Sequence, residues 1–442
     1  MTECVSVIGA GLAGCEAAWQ LAKFGHRVTL YEMKPRKFSA AHRSKNFAEL
    51  VCSNSLKARR IASAAGMLKE EMRLLGSLIL ECAEKFSVEA GGALAVDREL
   101  FSAEVTRRVS ECEKIHVVNE EIADVPEGNV IIATGPLTSE LFAKKISRLI
   151  GADQLYFYDA AAPIVLADSI DMSKAFLGSR YNRGGADYIN CPMNEQEYEN
   201  FYEQLVNGEC ATLHECDKLK LYEGCMPIEV MAKRGRDTIR FGPLKPVGIF
   251  HPETAKKYYA VLQLRKENAQ GTMYNMVGFQ TNLKFSEQKR IFSLIPGLEN
   301  AEFLRYGVMH RNTFIDSPRL LDSRLRLRSR PNVRFAGQIA GVEGYMESAA
   351  CGIVAGRFLA DELAGNENGL VLPKTTMIGA LIDHITNQSS GDFQPMGANM
   401  GLVPALTVKI KDKKRRYETL AKRGLSDLAE ELKISLCGES VI

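Results

Sequence analysis

The first thirty-odd residues constrain the fold more than any other stretch. Cys4-Val5-Ser6-Val7-Ile8 is short and apolar and reads as a buried β-strand. Gly9-Ala10-Gly11-Leu12-Ala13-Gly14 follows at once, and Ala17, Ala18, Leu21 and Ala22 then recur at helical spacing until Gly25. Arg27 to Tyr31 reads as a second strand, closed by Glu32. Strand, G-x-G-x-x-G, helix, strand and acid together predict a dinucleotide site. Gly9 permits the tight turn, Gly11 lets backbone approach a pyrophosphate, and Gly14 lets helix pack on strand. The helix N-terminus presents N–H groups to that pyrophosphate, and Glu32 is placed to accept hydrogen bonds from a ribose diol.

A chain of 442 residues has room for two or three domains with a substantial core. Its net charge of only +2 confines any nucleic-acid surface to local patches. The cysteines number eleven, with no C-x-x-C pair, which argues against a disulfide framework and for a reducing compartment, the cytoplasm. Glu3 and Glu16 interrupt the apolar N-terminus, so it is not expected to be a signal peptide, and no run is long enough to predict a membrane span.

Along the chain, Lys34 to Lys45 forms a basic loop containing His42 and Arg43. Cys52 precedes Ser53, Asn54 and Ser55, residues that favour helix caps. A helix start there, with Lys57, Arg59 and Arg60 nearby, predicts a lowered thiol pKa, against the alternative of a small buried structural cysteine. Met67 to Phe86 reads as one long amphipathic helix, and Ala93 to Val96 as a short strand. Asp97 is placed to cap a helix carrying Phe101, Val105 and Val109. Ile115 to Val118 reads as a strand, with Glu120 to Val125 continuing that sheet edge.

Two further segments resemble cofactor contacts. Asn129 to Ile132 runs as a buried strand into Ala133-Thr134-Gly135-Pro136, where small residues let backbone approach a ligand. Asn332 to Gly337 runs into Gln338 and then a small-residue stretch through Tyr345, which opens a helix over Ile353, Val354 and Phe358. The three segments together are the pattern of a glutathione-reductase-type FAD-binding domain, Rossmann-like and α/β, with an inserted α/β domain. The expected division is 1–167 and 320–442 for the FAD-binding domain and 168–319 for the insertion. Within the insertion, Tyr198 to Leu205 and Gln288 to Leu294 read as helical and Gly271 to Gln280 as strand-like. Cys210, His214 and Cys216 lack a fourth ligand, so no metal is expected. Arg324, Arg326, Arg328 and Arg330 alternate as if along one strand face, and Lys409 to Arg423 forms a second basic run. Each is either a solvated surface or a phosphate contact.

Longer motifs carry a closer resemblance. Phe47-Ala-Glu-Leu-Val-Cys-Ser-Asn-Ser55, Ala90-Gly-Gly-Ala-Leu-Ala-Val-Asp-Arg98 and Tyr222-Glu-Gly-Cys-Met-Pro-Ile-Glu-Val-Met-Ala-Lys-Arg-Gly235 are three of them. Tyr306-Gly-Val-Met-His-Arg-Asn-Thr-Phe314 and Gly341-Val-Glu-Gly-Tyr345 are others. Together the chain resembles the folate- and FAD-dependent tRNA uracil-5-methyltransferases over nearly its whole length. The resemblance implies methylation of carbon 5 of a T-loop uridine in tRNA. Carbon comes from 5,10-methylenetetrahydrofolate, and electrons from FAD reduced by NADH or NADPH. It also implies that Cys52 and Cys225 are the functional cysteines. Gly9, Ala10, Gly11, Leu12, Ala13, Gly14, Glu32, Thr134, Gly135, Gly337, Gln338 and Tyr345 are the candidate cofactor positions, with Tyr345 placed to stack on the flavin. A related branch acts on ribosomal RNA, and a non-catalytic FAD-containing RNA-binding factor is the reading from another class. A flavin disulfide reductase is disfavoured because no C-x-x-C exists.

That chemistry requires such residues. Carbon 5 of uracil becomes nucleophilic only when a thiolate adds to carbon 6. A base must later remove the carbon 5 proton. Cys225, between Gly224 and Met226-Pro227 with Lys233, Arg234 and Arg236 following, suits a nucleophile in an open loop, with Cys52 assisting as acid or base.

Overall fold

The computed structural model describes residues 4–39, 41–153, 155–182, 185–211, 226–250, 257–366, 369–387 and 393–438. Strand β1 (Val5–Ile8) is buried along its whole length, helix α1 (Leu12–Lys23) follows, and β2 (Val28–Glu32) returns parallel to β1. This is the predicted opening unit.

The next segment departs from expectation. No helix begins at Ser53 to Ser55; the chain extends instead into β3 (Ser55–Ala58). The fully buried Asn54 spends its amide elsewhere, donating to the carbonyls of Val96 at 3.0 Å and Lys266 at 2.8 Å. The single helix expected over Met67 to Phe86 is two, α2 (Ala64–Leu74) and α3 (Leu78–Lys85), separated by a turn at Gly76. Ser77 caps α3, and the buried Glu16 carboxylate of α1 accepts from its Leu78 and Ile79 N–H groups. An N-terminus with both side-chain and tertiary acceptors outcompetes helical continuity.

Strands β4 (Ser87–Val88) and β5 (Ala93–Val96) complete a small three-stranded sheet with β3. Asp97 caps α4 (Arg98–Ser110) through the Glu99 and Leu100 N–H groups, as expected, and Phe101, Val105 and Val109 are buried. Strand β6 (Ile115–Asn119) pairs with β2, but residues 120–125 form no strand. After β7 (Val130–Ile132) and α5 (Glu140–Ile150) comes β8 (Leu155–Ala160).

The middle of the chain builds a second sheet. Its strands are β9 (Ile164–Leu166), β10 (Phe176–Gly178), β11 (Tyr188–Met193), β12 (Ala260–Lys266), β13 (Met273–Met276) and β14 (Phe303–Arg305). They pair antiparallel in the order β10-β11-β12-β13-β9-β14. Helices α6 (Glu195–Val206), α7 (Ile228–Lys233), α8 (Thr238–Phe241) and α9 (Phe285–Phe292) contribute Phe201, Ile228, Ile239 and Phe292 to its separate core. Strand β15 (Met309–Phe314) then pairs antiparallel with β8.

The chain returns through α10 (Ser317–Leu320), β16 (Arg326–Leu327) and β17 (Arg330–Phe335). The first sheet runs β16-β17-β7-β1-β2-β6, parallel except at β16. The alternation of Arg324 to Arg330 does not survive. Leu325 takes a left-handed φ of 62°, Arg326 pairs with Asp322 at 2.7 Å and Glu362 at 3.5 Å, and Arg324 lies over the Phe358 ring. These arginines therefore do not share one face. Helix α11 (Tyr345–Leu363) packs along α1, followed by α12 (Met377–Asn387) and α13 (Lys413–Gly438). Among the described residues no helix is long and apolar enough to cross a membrane.

Candidate active site

The carboxyl ends of β1, β2 and β7 open onto a cleft. It is lined by Gly9 to Ala13, Glu32, Thr134, Gly135, Gln338 and Tyr345. The glycines divide the work. Gly9 has φ of +98°, and a Cβ there would meet the Ala133 carbonyl oxygen at 2.7 Å, so only glycine turns the chain at this point. A Cβ on Gly14 would lie 1.7 Å from the Gly9 oxygen; Gly14 sits behind the cleft and sets how closely α1 approaches β1. A Cβ on Gly11 would meet nothing within 4 Å and would project into open space. Gly11 also caps α1 without any side chain, leaving the helix N-terminus to whatever fills the cleft. Gly337, like Gly14, lies behind: its Cβ would contact Ala13 at 2.7 Å. The buried Glu32 carboxylate accepts from the Ala10 N–H at 2.9 Å and the Lys34 N–H at 3.0 Å, which holds it at the rim of the cleft. These features fit a dinucleotide: an open backbone cradle, an uncapped helix end and a fixed acid at the strand end.

Beyond Tyr345 lies Cys52. The Tyr345 hydroxyl is 2.9 Å from the Cys52 sulfur and accepts from the Cys52 N–H, also at 2.9 Å. The thiol is not activated as expected. Burial pushes its pKa up to about 11, the Asp159 carboxylate pushes the same way, and the Tyr345 hydrogen bond offsets only part. The expected lowering fails for two reasons. No helix starts at this cysteine, and the Lys57 ammonium is turned to the Glu347 carboxylate at 2.7 Å.

The loop of Cys52 is clamped from α4 and from β12. Arg98, at the start of α4, donates to the Leu50 carbonyl at 2.6 Å and grips Glu267 with two bonds of 2.6 and 3.1 Å. Arg265, on β12, donates to Asn54 Oδ1 and Ser53 Oγ, both at 2.8 Å. Two buried acids complete the surroundings. Asp159 lies on β8, with Asn312 Nδ2 at 3.5 Å. Glu343 accepts from Gln338 Nε2 at 2.7 Å, and its pKa is pushed up to about 8, first by burial and then by Asp159. Arg98 and Glu343 stood inside the quoted motifs without a role. Arg265, Glu267 and Asp159 lie in or beside ordinary-looking strands and carried no local signal.

Cys225, His214 and Cys216 lie outside the described residues, and Cys210 is exposed. Among the described residues no group of three or more His, Cys, Asp or Glu side chains is arranged to hold a metal ion. In the second basic run, Lys409 and Lys411 are exposed, whereas Arg423 donates to the Ala405 carbonyl at 3.2 Å and to that of Pro404.

Comparison with known proteins places the chain. The family model described as "Glucose inhibited division protein A" (GIDA) matches residues 4–367. A methylenetetrahydrofolate--tRNA-(uracil-5-)-methyltransferase TrmFO of Acetivibrio thermocellus is 58% identical over 432 residues, covering 97% of this chain and 99% of that protein. The protein of the same name from Listeria innocua is 57% identical over 435 residues, covering 98% and 100%. Among solved structures, GidA of Aquifex aeolicus in its form I crystal superimposes with a TM-score of 0.68 at 17% identity, over 97% of this chain and 75% of that one. That likeness shows the shared fold. The chain belongs to the GIDA family and, within it, to the methylenetetrahydrofolate--tRNA-(uracil-5-)-methyltransferases TrmFO.

Proposed function

We propose that this chain methylates carbon 5 of a T-loop uridine in tRNA. The carbon comes from 5,10-methylenetetrahydrofolate and the electrons from FAD, reduced in turn by NAD(P)H. The observation that carries this reading is the position of Cys52, whose sulfur is bonded to the same tyrosine that closes the dinucleotide cleft. The names of full-length relatives support methylenetetrahydrofolate and a tRNA uracil as the substrates.

FAD would be held by Gly9 to Ala13, Glu32, Thr134, Gly135, Gln338 and Tyr345, with Gly14 and Gly337 setting the close packing behind the cleft. When bound and reduced it supplies the hydride that takes the transferred carbon from the formaldehyde level to methyl. The protein's own groups do the rest. A thiolate must add to carbon 6 of the uracil, and we assign that to Cys225. Cys52 is assigned the carbon 5 proton. A thiol held at about 11 is a poor nucleophile at neutral pH, and it can take the carbon 5 proton only after giving up its own. The Tyr345 hydroxyl, 2.9 Å from the sulfur, is the group through which that proton can be exchanged. Arg98 and Arg265 fix the loop so that the sulfur does not drift. Chemistry that depends on free thiols supports a reducing compartment, the cytoplasm.

The test is direct. FAD-loaded protein is incubated with methylenetetrahydrofolate, NADPH and a tRNA transcript, and the nucleosides are analysed. 5-Methyluridine in the T-loop is expected, with ribosomal RNA unmodified in a parallel reaction. Its absence from the tRNA would overturn the proposal.

A further inference from the structure

Three guanidiniums stand around the Cys52 loop, and their charges are not balanced. Arg98 is matched by Glu267 through two hydrogen bonds. Arg265 is bonded only to the neutral acceptors Asn54 and Ser53. Arg305 is half-buried, and its guanidinium has neither hydrogen bond nor ion pair among the described residues. It lies within electrostatic reach of Arg98, Tyr345, Glu49 and Glu267. Both acids are already engaged. Glu267 serves Arg98, while Glu49 accepts from the Arg43 and Ser44 N–H groups at 2.9 and 3.1 Å and faces Lys34 Nζ at 3.7 Å.

The backbone aims Arg305 deliberately. It ends β14, the edge strand of the second sheet, and a register shift separates it from Phe303 in the pairing with β9. Such irregularities re-aim a side chain next to a site. Tyr306 is pinned beside it, stacked on Phe303 at 5.3 Å and on Phe285 at 4.8 Å. A cation held partly out of water without a partner is costly unless an anion completes it.

The anion follows from the proposed reaction, on which this inference rests. Uracil is neutral, so the charge nearest its carbon 5 is the phosphate of its own nucleotide. The carboxylates of the folate lie beyond an aminobenzoyl group from the carbon being transferred, and a cofactor pyrophosphate would sit at the α1 N-terminus. Extruding a base from its stack also costs energy that new backbone contacts must offset. We propose that Arg305 binds the phosphate of the target uridine, with the planar guanidinium fork matching two phosphate oxygens, and so holds the extruded ring at Cys52.

The experiment uses full-length, FAD-loaded protein and a T-arm hairpin RNA, with and without one uncharged methylphosphonate at the target uridine. Arg305→Gln should weaken binding of the unmodified RNA by about tenfold and shallow the salt dependence by about one unit, as for loss of one phosphate contact. The methylphosphonate should weaken wild-type binding comparably and Arg305→Gln hardly further, because both changes remove the same contact. Arg305→Lys should recover part of the affinity. FAD content and the KM for methylenetetrahydrofolate should not change. If wild-type protein methylates RNA while Arg305→Gln keeps its RNA affinity and salt slope, the subsite is overturned alone. A raised folate KM with unchanged RNA binding overturns it in favour of a carboxylate site. Wild-type protein that neither binds nor methylates RNA overturns the parent reading and the subsite with it.

Discussion

The Tyr345 hydroxyl lies 2.9 Å from the Cys52 sulfur, although 293 residues separate the two in sequence. The bond ties the first turn of α11 to the loop before β3, so the end of the cofactor cleft and the thiol cannot move independently. It is also the largest influence lowering the thiol pKa, against burial and Asp159. Tyr345→Phe should therefore raise the Cys52 pKa above about 11 and leave the Cys52 N–H without its acceptor. That loss costs about 1–3 kcal/mol of stability. Alkylation of Cys52 followed by peptide mass analysis across pH gives the first quantity and denaturant unfolding the second. An unchanged alkylation profile would show that the hydroxyl does not tune this thiol.

The different roles of Gly14 and Gly11 make a second, paired expectation. Gly14→Ala places a Cβ 1.7 Å from the Gly9 oxygen and must push α1 off the sheet, so the protein should be destabilised by several kcal/mol or fail to accumulate folded. Gly11→Val has room for its Cβ and should fold normally. Its side chain instead occupies the path of the pyrophosphate, so bound flavin, read from visible absorbance, should disappear. Normal flavin content in folded Gly11→Val would remove this cleft as the FAD site.

What was legible in the sequence was local. β1, the glycine turn, α1, β2 and Glu32 form one short contiguous unit whose glycine spacing and apolar periodicity have few structural solutions. The Asp97 cap and the burial of Phe101, Val105 and Val109 were equally local. The misreadings came from residues whose partners are remote. Ser53-Asn54-Ser55 resembles a helix cap, but Asn54 is bonded to Val96 and Lys266. Met67 to Phe86 keeps helical periodicity across a break that Glu16, from another helix, stabilises. The Cys52 pKa depends on Asp159, Tyr345 and Arg98, all assembled by tertiary structure. Spacing along the chain holds no information about such contacts.

Glu343 supplies a pH dependence with a definite sign. Its carboxyl is raised from 4.5 to about 8, so it is largely neutral at pH 7 and ionises as pH rises through 8. The new negative charge would join Asp159 near Cys52 and further disfavour the thiolate. Turnover in the wild type should therefore fall above about pH 8, and Glu343→Gln, which keeps a neutral side chain, should move that fall to higher pH. Linkage fixes the stability counterpart. The folded state binds the extra proton between pH 4.5 and about 8, so this group's stabilisation is complete below pH 4.5 and lost as pH rises through 8. Unfolding free energies across that range should decline less steeply in Glu343→Gln. Identical pH profiles for wild type and variant would detach Glu343 from the site.

The division between the cysteines is the sharpest test of the mechanism. A thiol at about 11 is almost wholly protonated at pH 7, so Cys52 must lose its proton before it can act either on carbon 6 or on the carbon 5 proton. The open-loop position of Cys225 between Gly224 and Met226-Pro227 in the sequence is what assigns carbon 6 to it. RNA carrying fluorine at carbon 5 of the target uridine has no proton there to lose, so an adduct formed at carbon 6 should persist once the carbon unit has been transferred. Given this RNA with folate and reduced flavin, wild-type protein should yield a crosslinked peptide containing Cys225. Cys225→Ala should give none, because the nucleophile is gone. Cys52→Ala should still react at Cys225 on fluorinated RNA while losing turnover on ordinary RNA by about 10²–10⁴-fold, the usual contribution of a positioned acid or base. An adduct mapped to Cys52 and surviving in Cys225→Ala would reverse the assignment. It would also mean that bound substrates lower the Cys52 pKa by several units, overcoming the burial that now holds the thiol protonated.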